Sequence, residues 1–157
     1  MIKVFLSHQR ADSESAAVIA ATLRRQSIDS YLDVIDPYIN RNIEDLADHI
    51  REQMGKCTQL LAVVSRATAE SQWVPWEIGV ATEKDYPLAT FSVGSTLPPE
   101  FLRKWPYLRT QADVDQYAKA SKDAEQTIVR KQASDERLVR RSATRDFYST
   151  LRKSLGQ

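Results

Sequence analysis

The stretch "TQLLAVVS" at residues 58–65 is the part of the chain from which the fold is most directly inferred. Its middle is apolar at every position, so no polar face alternates with an apolar one. Such a run is typical of a strand that is buried on both faces, as at the centre of a parallel sheet. We therefore expect a central strand here, with helices covering both of its faces.

Other segments of strand type lie on either side of this one and alternate with helical patterns. The strand candidates are "IKVFLS" at 2–7, "SYLDVID" at 30–36, "LATFSV" at 88–93 and "WPYL" at 105–108. Between them, apolar residues recur at helical spacing, as at Ile43, Leu46 and Ile50. The alternation predicts a three-layer α/β fold around a parallel sheet, in which ligands bind at the carboxyl ends of the strands.

The connecting segments have polar sequences. "HQRADS" at 8–13 is typical of a turn that ends at Asp12 or Ser13, and either side chain is suited to cap the helix that follows. "RATAESQ" at 66–72 is predicted to be a loop before the next helix. Beyond Ala112 the composition is helical, which predicts one long helix or two helices broken near Ser134.

The chain has 157 residues, as expected for one compact domain, and its charges are unevenly distributed. Residues 1–118 carry 12 basic and 16 acidic residues, whereas 119–157 carry 10 and 5. A basic segment can bind nucleic acid or anionic lipid, but interleaved charges favour a solvated helical face. We therefore predict a core at 1–118, a helical extension packed on it at 119–157, and neither a nucleic-acid nor a membrane partner.

Targeting and cysteine usage agree with a cytoplasmic location. No apolar run approaches the roughly 18 residues of a membrane span, and "MIKVFLS" is too short for the apolar region of a signal peptide. Cys57 is the single cysteine, so it cannot form an intramolecular disulfide, and we interpret it as a packing residue.

Several common sites are disfavoured by the sequence. The four glycines form neither a G-x-G-x-x-G motif nor a phosphate-binding P-loop, and no cysteine and histidine spacing matches a metal site. Ser7 lies in "FLSHQ" without the glycines of a nucleophile elbow, so a Ser-His-Asp triad is poorly supported. We predict no metal and no resident cofactor.

The remaining candidate is Glu77, in "SQWVPWEIGVA" at 71–81. On a helix it lies at the edge of the apolar face, one turn after Trp73, near the strand-end crevice. A carboxylate beside an indole in such a crevice is a candidate functional group. From geometry alone a structural role, as a complement to the helix dipole, is the more common one. Trp76 is predicted to pack against the C-terminal helices.

Three segments together resemble the Toll/interleukin-1 receptor (TIR) domain family, in particular its bacterial stand-alone members. They are "KVFLSHQRAD", in which a strand runs into "LSH"; "SYLDVID", the strand whose aspartate leads into the BB loop; and "SRATAESQWVPWEI", which fits S-x-x-x-x-x-S-x-W-V-x-x-E-I. The resemblance covers about residues 1–108. It implies a flavodoxin-like fold with a five-stranded parallel sheet, helices on both faces, and here an extended helical C-terminus.

The resemblance also implies an activity. Many TIR domains cleave NAD⁺ at the nicotinamide–ribose bond, releasing ADP-ribose or cyclising it into a signal, and their catalytic glutamate lies in W-x-x-x-E. Glu77 occupies that position. We therefore expect an NAD⁺ nucleosidase or ADP-ribosyl cyclase of the kind found in bacterial antiphage defence, with NAD⁺ as substrate. The resemblance further implies homo-oligomers formed through TIR–TIR contacts and a separate effector protein that senses the product.

The substrate-binding residues implied by the resemblance are Phe5, Ser7, His8, Arg10, Asp33 and Trp73. Among them, Phe5 lies inside an apolar run and is equally suited to the core. Arg10 is suited to a pyrophosphate or to the surface, and Trp73 to stacking on a ring or to packing.

One position departs from the family pattern. The BB loop often has glycine seven residues after its strand-end aspartate, and this chain has Asn40 there. Asparagine tolerates a positive φ better than most residues, so the turn can survive. Two other functions stay open at this point: a non-catalytic TIR interaction module, and an enzyme similar to nucleoside deoxyribosyltransferases, which would also use a glutamate.

Overall fold

A computed structural model describes residues 1–32, 43–94, 97–130 and 135–157. The strands are β1 (Lys3–Ser7), β2 (Asp29–Leu32), β3 (Gln59–Val64), β4 (Leu88–Ser92) and β5 (Tyr107–Leu108). The helices are α1 (Ser13–Arg25), α2 (Ile43–Gly55), α3 (Trp73–Glu83), α4 (Gln111–Arg130) and α5 (Glu136–Leu155). Short 3₁₀ turns lie at Arg10–Asp12, Arg66–Glu70 and Glu100–Lys104. The predicted order of strands and helices is therefore confirmed, although the segment at 66–70 is a 3₁₀ turn rather than a loop.

The described strands form one parallel sheet in the order β2-β1-β3-β4-β5. This is the strand order of flavodoxin-like folds, in which the direction of winding reverses between β1 and β3. Connections from β1 lead to one side of that point and connections from β3 lead to the other. The carboxyl ends of β1 and β3 consequently border a crevice, where the sequence predicted the site.

The two faces of the sheet carry separate apolar clusters. The back cluster joins the sheet to α1, α4 and α5, and the front cluster joins it to α2 and α3. The back cluster includes Leu6, Leu61, Val63, Tyr117, Phe147 and Leu151, and the front cluster includes Phe5, Leu60, Ala62, Val64, Val74, Ile78 and Leu88. Every residue of β3 is buried, which confirms the prediction of a central strand covered on both faces.

The C-terminal helices belong to the core of the back face. α4 contributes Tyr117 and Ala118, both fully buried, and α5 contributes Phe147 and Leu151. Gln59 on β3 accepts hydrogen bonds from the Tyr117 hydroxyl and from Ser121, each at 2.8 Å. α4 runs continuously through residue 118, the predicted end of the core, to Arg130, and α5 begins at Glu136. Ser134, near which the sequence predicted a break, lies outside the described residues.

Candidate functional site

Glu77 lies in the second turn of α3, on the face that packs against the sheet. α3 begins at Trp73, and its buried residues are Val74, Glu77, Ile78 and Ala81. The sequence predicted a partly buried carboxylate at the edge of this face, whereas the side chain is 0% exposed. The apolar neighbours on the same face bring the helix so close to the sheet that the carboxylate is enclosed with them.

Ser7, on the sheet beneath α3, forms a hydrogen bond with this carboxylate. It is the last residue of β1, it is fully buried, and its Oγ donates a hydrogen bond to Glu77 Oε2. Burying a carboxylate is costly unless hydrogen bonds replace its contacts with water. The two residues are 70 positions apart in the chain. The structure therefore brings together two of the predicted site residues, at the carboxyl end of β1 and beside the point where the winding reverses.

Three further predicted residues come from β1 and the turn after it. His8 is buried, and its Nδ1 lies 3.0 Å from the Leu6 carbonyl oxygen. Because a carbonyl oxygen only accepts, Nδ1 is the donor in that bond. Arg10 is exposed at the start of the 3₁₀ turn. Phe5 is fully buried in the front cluster, with its ring centroid 5.5 Å from that of Tyr31.

Two tryptophans begin α3. Trp73 and Trp76 are both half-buried, and their rings meet edge to face with centroids 5.6 Å apart and an interplanar angle of 88°. The prediction that Trp76 packs against the C-terminal helices is wrong. Both indoles pack on the front cluster, on the side of the sheet opposite α4 and α5, because α3 itself covers that side. Asp33 and Asn40 lie outside the described residues.

A second polar contact crosses the crevice. Asp12 is 5% exposed, and its Oδ2 accepts a hydrogen bond of 2.8 Å from the Ser65 hydroxyl. The same hydroxyl accepts from the Ala67 backbone amide, and Thr68 Oγ1 accepts from the Ser65 amide, which closes a capping box around the 3₁₀ turn. The turn after β1 is thereby attached to the turn after β3.

This contact corrects a prediction. The side chain of Asp12 makes no capping hydrogen bond to α1, and the hydroxyl of Ser13 donates instead to the Arg10 carbonyl oxygen at 2.8 Å. The competing partner, Ser65, is 53 positions away and gives no local signal. The sequence placed Ser65 at the predicted crevice but named neither Ser65 nor Asp12 as a site residue. The available signal was position, since Ser65 directly follows β3 and Asp12 ends the turn after β1.

The cysteine and a separate cavity lie away from this crevice. Cys57 is buried in the front cluster, as predicted, and burial raises the pKa of its thiol to about 11. A cavity of about 580 Å³ opens at the amino-terminal ends of the strands, where Gln59, Tyr86 and Arg140 are among its lining residues. Within the described ranges, no group of three or more His, Cys, Asp or Glu side chains is arranged to hold a metal ion.

Comparison with protein families shows which family the chain belongs to. The family model of the TIR domain matches residues 4–128, which includes the strand-end crevice and most of α4. The chain belongs to the TIR domain family. In the described part of this TIR domain, no helix is both long enough and apolar enough to span a membrane.

Two solved structures are similar to this TIR domain over nearly their whole lengths. The TIR domains of the activated Roq1 resistosome, which directly recognizes the pathogen effector XopQ, are 15% identical, with a TM-score of 0.48 and coverage of 99% of this chain and 98% of that one. Diflavin flavoprotein A3 from Nostoc sp. is also 15% identical, with a TM-score of 0.44 and coverage of 99% and 97%. No curated protein matches the chain.

Proposed function

We propose that this TIR domain cleaves NAD⁺ at the nicotinamide–ribose bond, with Glu77 as the catalytic carboxylate. The observation that carries the proposal is the carboxylate itself, which is buried at the crevice where the winding reverses between β1 and β3 and accepts a hydrogen bond from Ser7. Such crevices are where parallel α/β folds bind ligands. A buried carboxylate is expensive for a fold to retain, so its presence at this place favours a functional role.

One carboxylate is sufficient for this reaction. Ordinary glycosidases need a second one, which protonates the leaving group. In NAD⁺ the nicotinamide is cationic, and when the bond from its nitrogen to the ribose carbon breaks, the electron pair moves to the nitrogen and the ring leaves neutral. The positive charge that develops on the ribose is what Glu77 stabilises, since a fixed anion in a dry site acts strongly on charge formed in the transition state.

The neighbouring residues have supporting roles in this proposal. Ser7 fixes one oxygen of Glu77 and so orients the carboxylate. Trp73, half-buried one turn before Glu77, supplies an aromatic wall for a ring of the substrate. Arg10, exposed at the mouth of the crevice, is suited to the pyrophosphate, and His8 and Phe5 shape the inner wall.

Substrate must reach a carboxylate that has no exposed surface. Because Glu77 and Ser7 are both fully buried, the packing around the crevice has to rearrange before a ribose can contact them. We therefore propose that binding opens the crevice and that the closed arrangement excludes water from Glu77 in the absence of substrate. Substrate that fills the opened crevice also keeps water away from Glu77, which strengthens the electrostatic effect of the carboxylate.

The fate of the ribose cation decides the product. Capture by water, with loss of a proton, gives ADP-ribose, and capture by a nucleophile of the same nucleotide gives a cyclic product. We propose that the protein acts in the cytoplasm as a homo-oligomer assembled through TIR–TIR contacts, and that a cyclic product signals to a separate effector in antiphage defence. An activity that rises more steeply than protein concentration is the expected sign of such assembly.

The test is nicotinamide release from NAD⁺, followed by chromatography, with mass spectrometry of the nucleotide product. Glu77→Gln preserves size and hydrogen bonding but removes the anion, so we expect release to fall at least about 100-fold, as for loss of a group that stabilises transition-state charge. Glu83→Gln is the matched control, because Glu83 lies on the same helix but is exposed. No release by wild type at high protein concentration would refute the activity, and release that survives Glu77→Gln would refute the role of Glu77.

A further inference from the structure

Two buried hydroxyl groups on β4 have no hydrogen-bond partner in the part of the chain that the structure describes. Thr90 is 0% exposed and Ser92 is 2% exposed, and neither Thr90 Oγ1 nor Ser92 Oγ forms a hydrogen bond with the described protein atoms. Most buried side-chain hydroxyls in folded proteins have a partner. Two such exceptions two positions apart on one strand therefore need an explanation.

The two hydroxyls lie on the front face, which is also the face of Glu77. Leu88 packs in the front cluster, whereas Ala89 and Phe91 pack in the back cluster. Because side chains alternate along a strand, Thr90 and Ser92 face the same side as Leu88. α3, the helix that carries Glu77, packs on this side against both β3 and β4.

Strand register places them in line with Ser7. Ser7 pairs with Ala62, and Ala62 pairs with Thr90, so the three residues form one row across the sheet. Ser92 pairs with Val64 and lies two residues nearer the carboxyl end of the strand. With about 4.8 Å between strands, the Thr90 Cα lies roughly 10 Å from the Ser7 Cα. The side chain of Ala62, between them, is only a methyl group, so it occupies little of the space above the sheet between Ser7 and Thr90.

Packing alone does not account for these residues. The same face accepts Leu88, so apolar side chains fit there. Valine has nearly the shape of threonine, and alanine that of serine without its hydroxyl, and neither would leave a buried polar group unsatisfied. A buried hydroxyl that stays unsatisfied lowers stability, so a ligand group that bonds to these two would explain why they are present.

We infer that Thr90 and Ser92 bind the hydroxyl groups of the ribose whose bond to nicotinamide is cleaved. The inference rests on the proposed function and extends its site from β1 across to β4. A ribose hydroxyl both donates and accepts, as do Ser and Thr hydroxyls, whereas an ionised carboxylate only accepts. Two neutral hydroxyls on the same face as a carboxylate therefore suit a neutral diol and are unsuited to a phosphate, which needs cationic or multiple amide donors.

The test compares Thr90→Val, Ser92→Ala and the double variant with wild type. ADP-ribose is the probe because it carries this ribose and is not turned over. ADP is its control because it retains the adenosine ribose but lacks this second ribose. We expect calorimetry to show ADP-ribose affinity at least about tenfold weaker in the double variant, the effect of roughly one hydrogen bond, with ADP affinity unchanged. The melting temperature of the double variant should equal or exceed that of wild type.

Thr22→Val is the matched control for a buried threonine. Thr22 is equally buried but donates to the Val18 carbonyl oxygen and to Gln111, on the other side of the sheet. We expect it to lower the melting temperature and leave ADP-ribose affinity unchanged.

Three results would overturn the inference: equal ADP-ribose affinity in wild type and double variant, an equal loss of ADP affinity, or no binding of ADP-ribose by wild type. The proposed function is judged separately, by nicotinamide release from wild type. Release with unchanged ADP-ribose affinity in the double variant would leave the function standing and remove Thr90 and Ser92 from the site.

Discussion

Replacing Ser7 with alanine tests whether the crevice holds Glu77 as the structure shows. The substitution removes the hydroxyl that donates to Glu77 Oε2 and leaves the rest of the fully buried side chain, since alanine is serine without its hydroxyl. A hydrogen bond to a charged group contributes roughly 1.5–3 kcal/mol, so we expect the free energy of unfolding to fall by about 2 kcal/mol. For a chain of 157 residues this lowers the melting temperature by roughly 4–8 °C.

Chemical denaturation of four proteins isolates the Ser7–Glu77 contact: wild type, Ser7→Ala, Glu77→Met and the double variant. Glu77→Met removes the carboxyl group but retains a side chain of similar length. If the hydrogen bond is the cause, Ser7→Ala should cost less than about 0.5 kcal/mol once Glu77 is methionine, since residues in contact couple and independent residues add. An equal cost in both backgrounds would refute this explanation.

Ser92→Ala is the control for simply removing a buried serine hydroxyl. Ser92 lies on the same face and at the same end of the sheet as Ser7, but its hydroxyl has no partner among the described atoms. We expect its melting temperature to stay unchanged or to rise. Similar destabilisation by Ser7→Ala and Ser92→Ala would show that burial, and not the bond to Glu77, determines the loss.

Three further predictions concern other contacts. Ser65→Ala leaves the buried Asp12 carboxylate without its 2.8 Å donor and should lower the free energy of unfolding in urea by about 1–3 kcal/mol. An unchanged urea midpoint would contradict the contribution of the Ser65–Asp12 hydrogen bond. Asp135→Ala removes the side chain that accepts from the Arg137 and Leu138 amides and should cost about 0.5–2 kcal/mol, whereas Asp135→Asn should retain most of that stability. Burial raises the pKa of Cys57 from its ordinary 9.0 to about 11, so its neutral form stabilises the fold below pH 9, and this contribution is lost as pH rises from 9 through 11. Cys57→Ala should therefore flatten the fall in melting temperature over that range, and an identical pH profile would count against it.

The order of strands and helices could be predicted because its signals are local. Burial on both faces requires an apolar side chain at nearly every position, and the run in β3 shows this directly. α2 shows its packing face through the spacing of Leu46, Ile50 and Met54, all of which are buried. With the strands parallel, the location of the crevice followed from the general behaviour of such sheets.

The site could be predicted only in part. Glu77 was identified through the family motif, since spacing alone favoured a structural role. The pattern W-x-x-x-E fixes the separation of Trp73 and Glu77 along a helix but says nothing about how deeply the helix settles on the sheet. The assignment of Trp76 to the C-terminal helices failed for a related reason: periodicity does not reveal which face of the sheet a helix covers.

The sequence by itself determined which residues form strands and helices, the buried central strand and the motif that contains Glu77. Tertiary structure alone decided which polar groups satisfy one another. Ser7 and Glu77 are 70 positions apart, and Asp12 and Ser65 are 53 apart. Hydrogen bonds act over about 3 Å, so partners this distant in the chain leave no local pattern and are chosen only when strand order and register bring them together. The same holds for a missing contact: only the packed fold reveals that the Thr90 and Ser92 hydroxyls lack a partner among the described protein atoms.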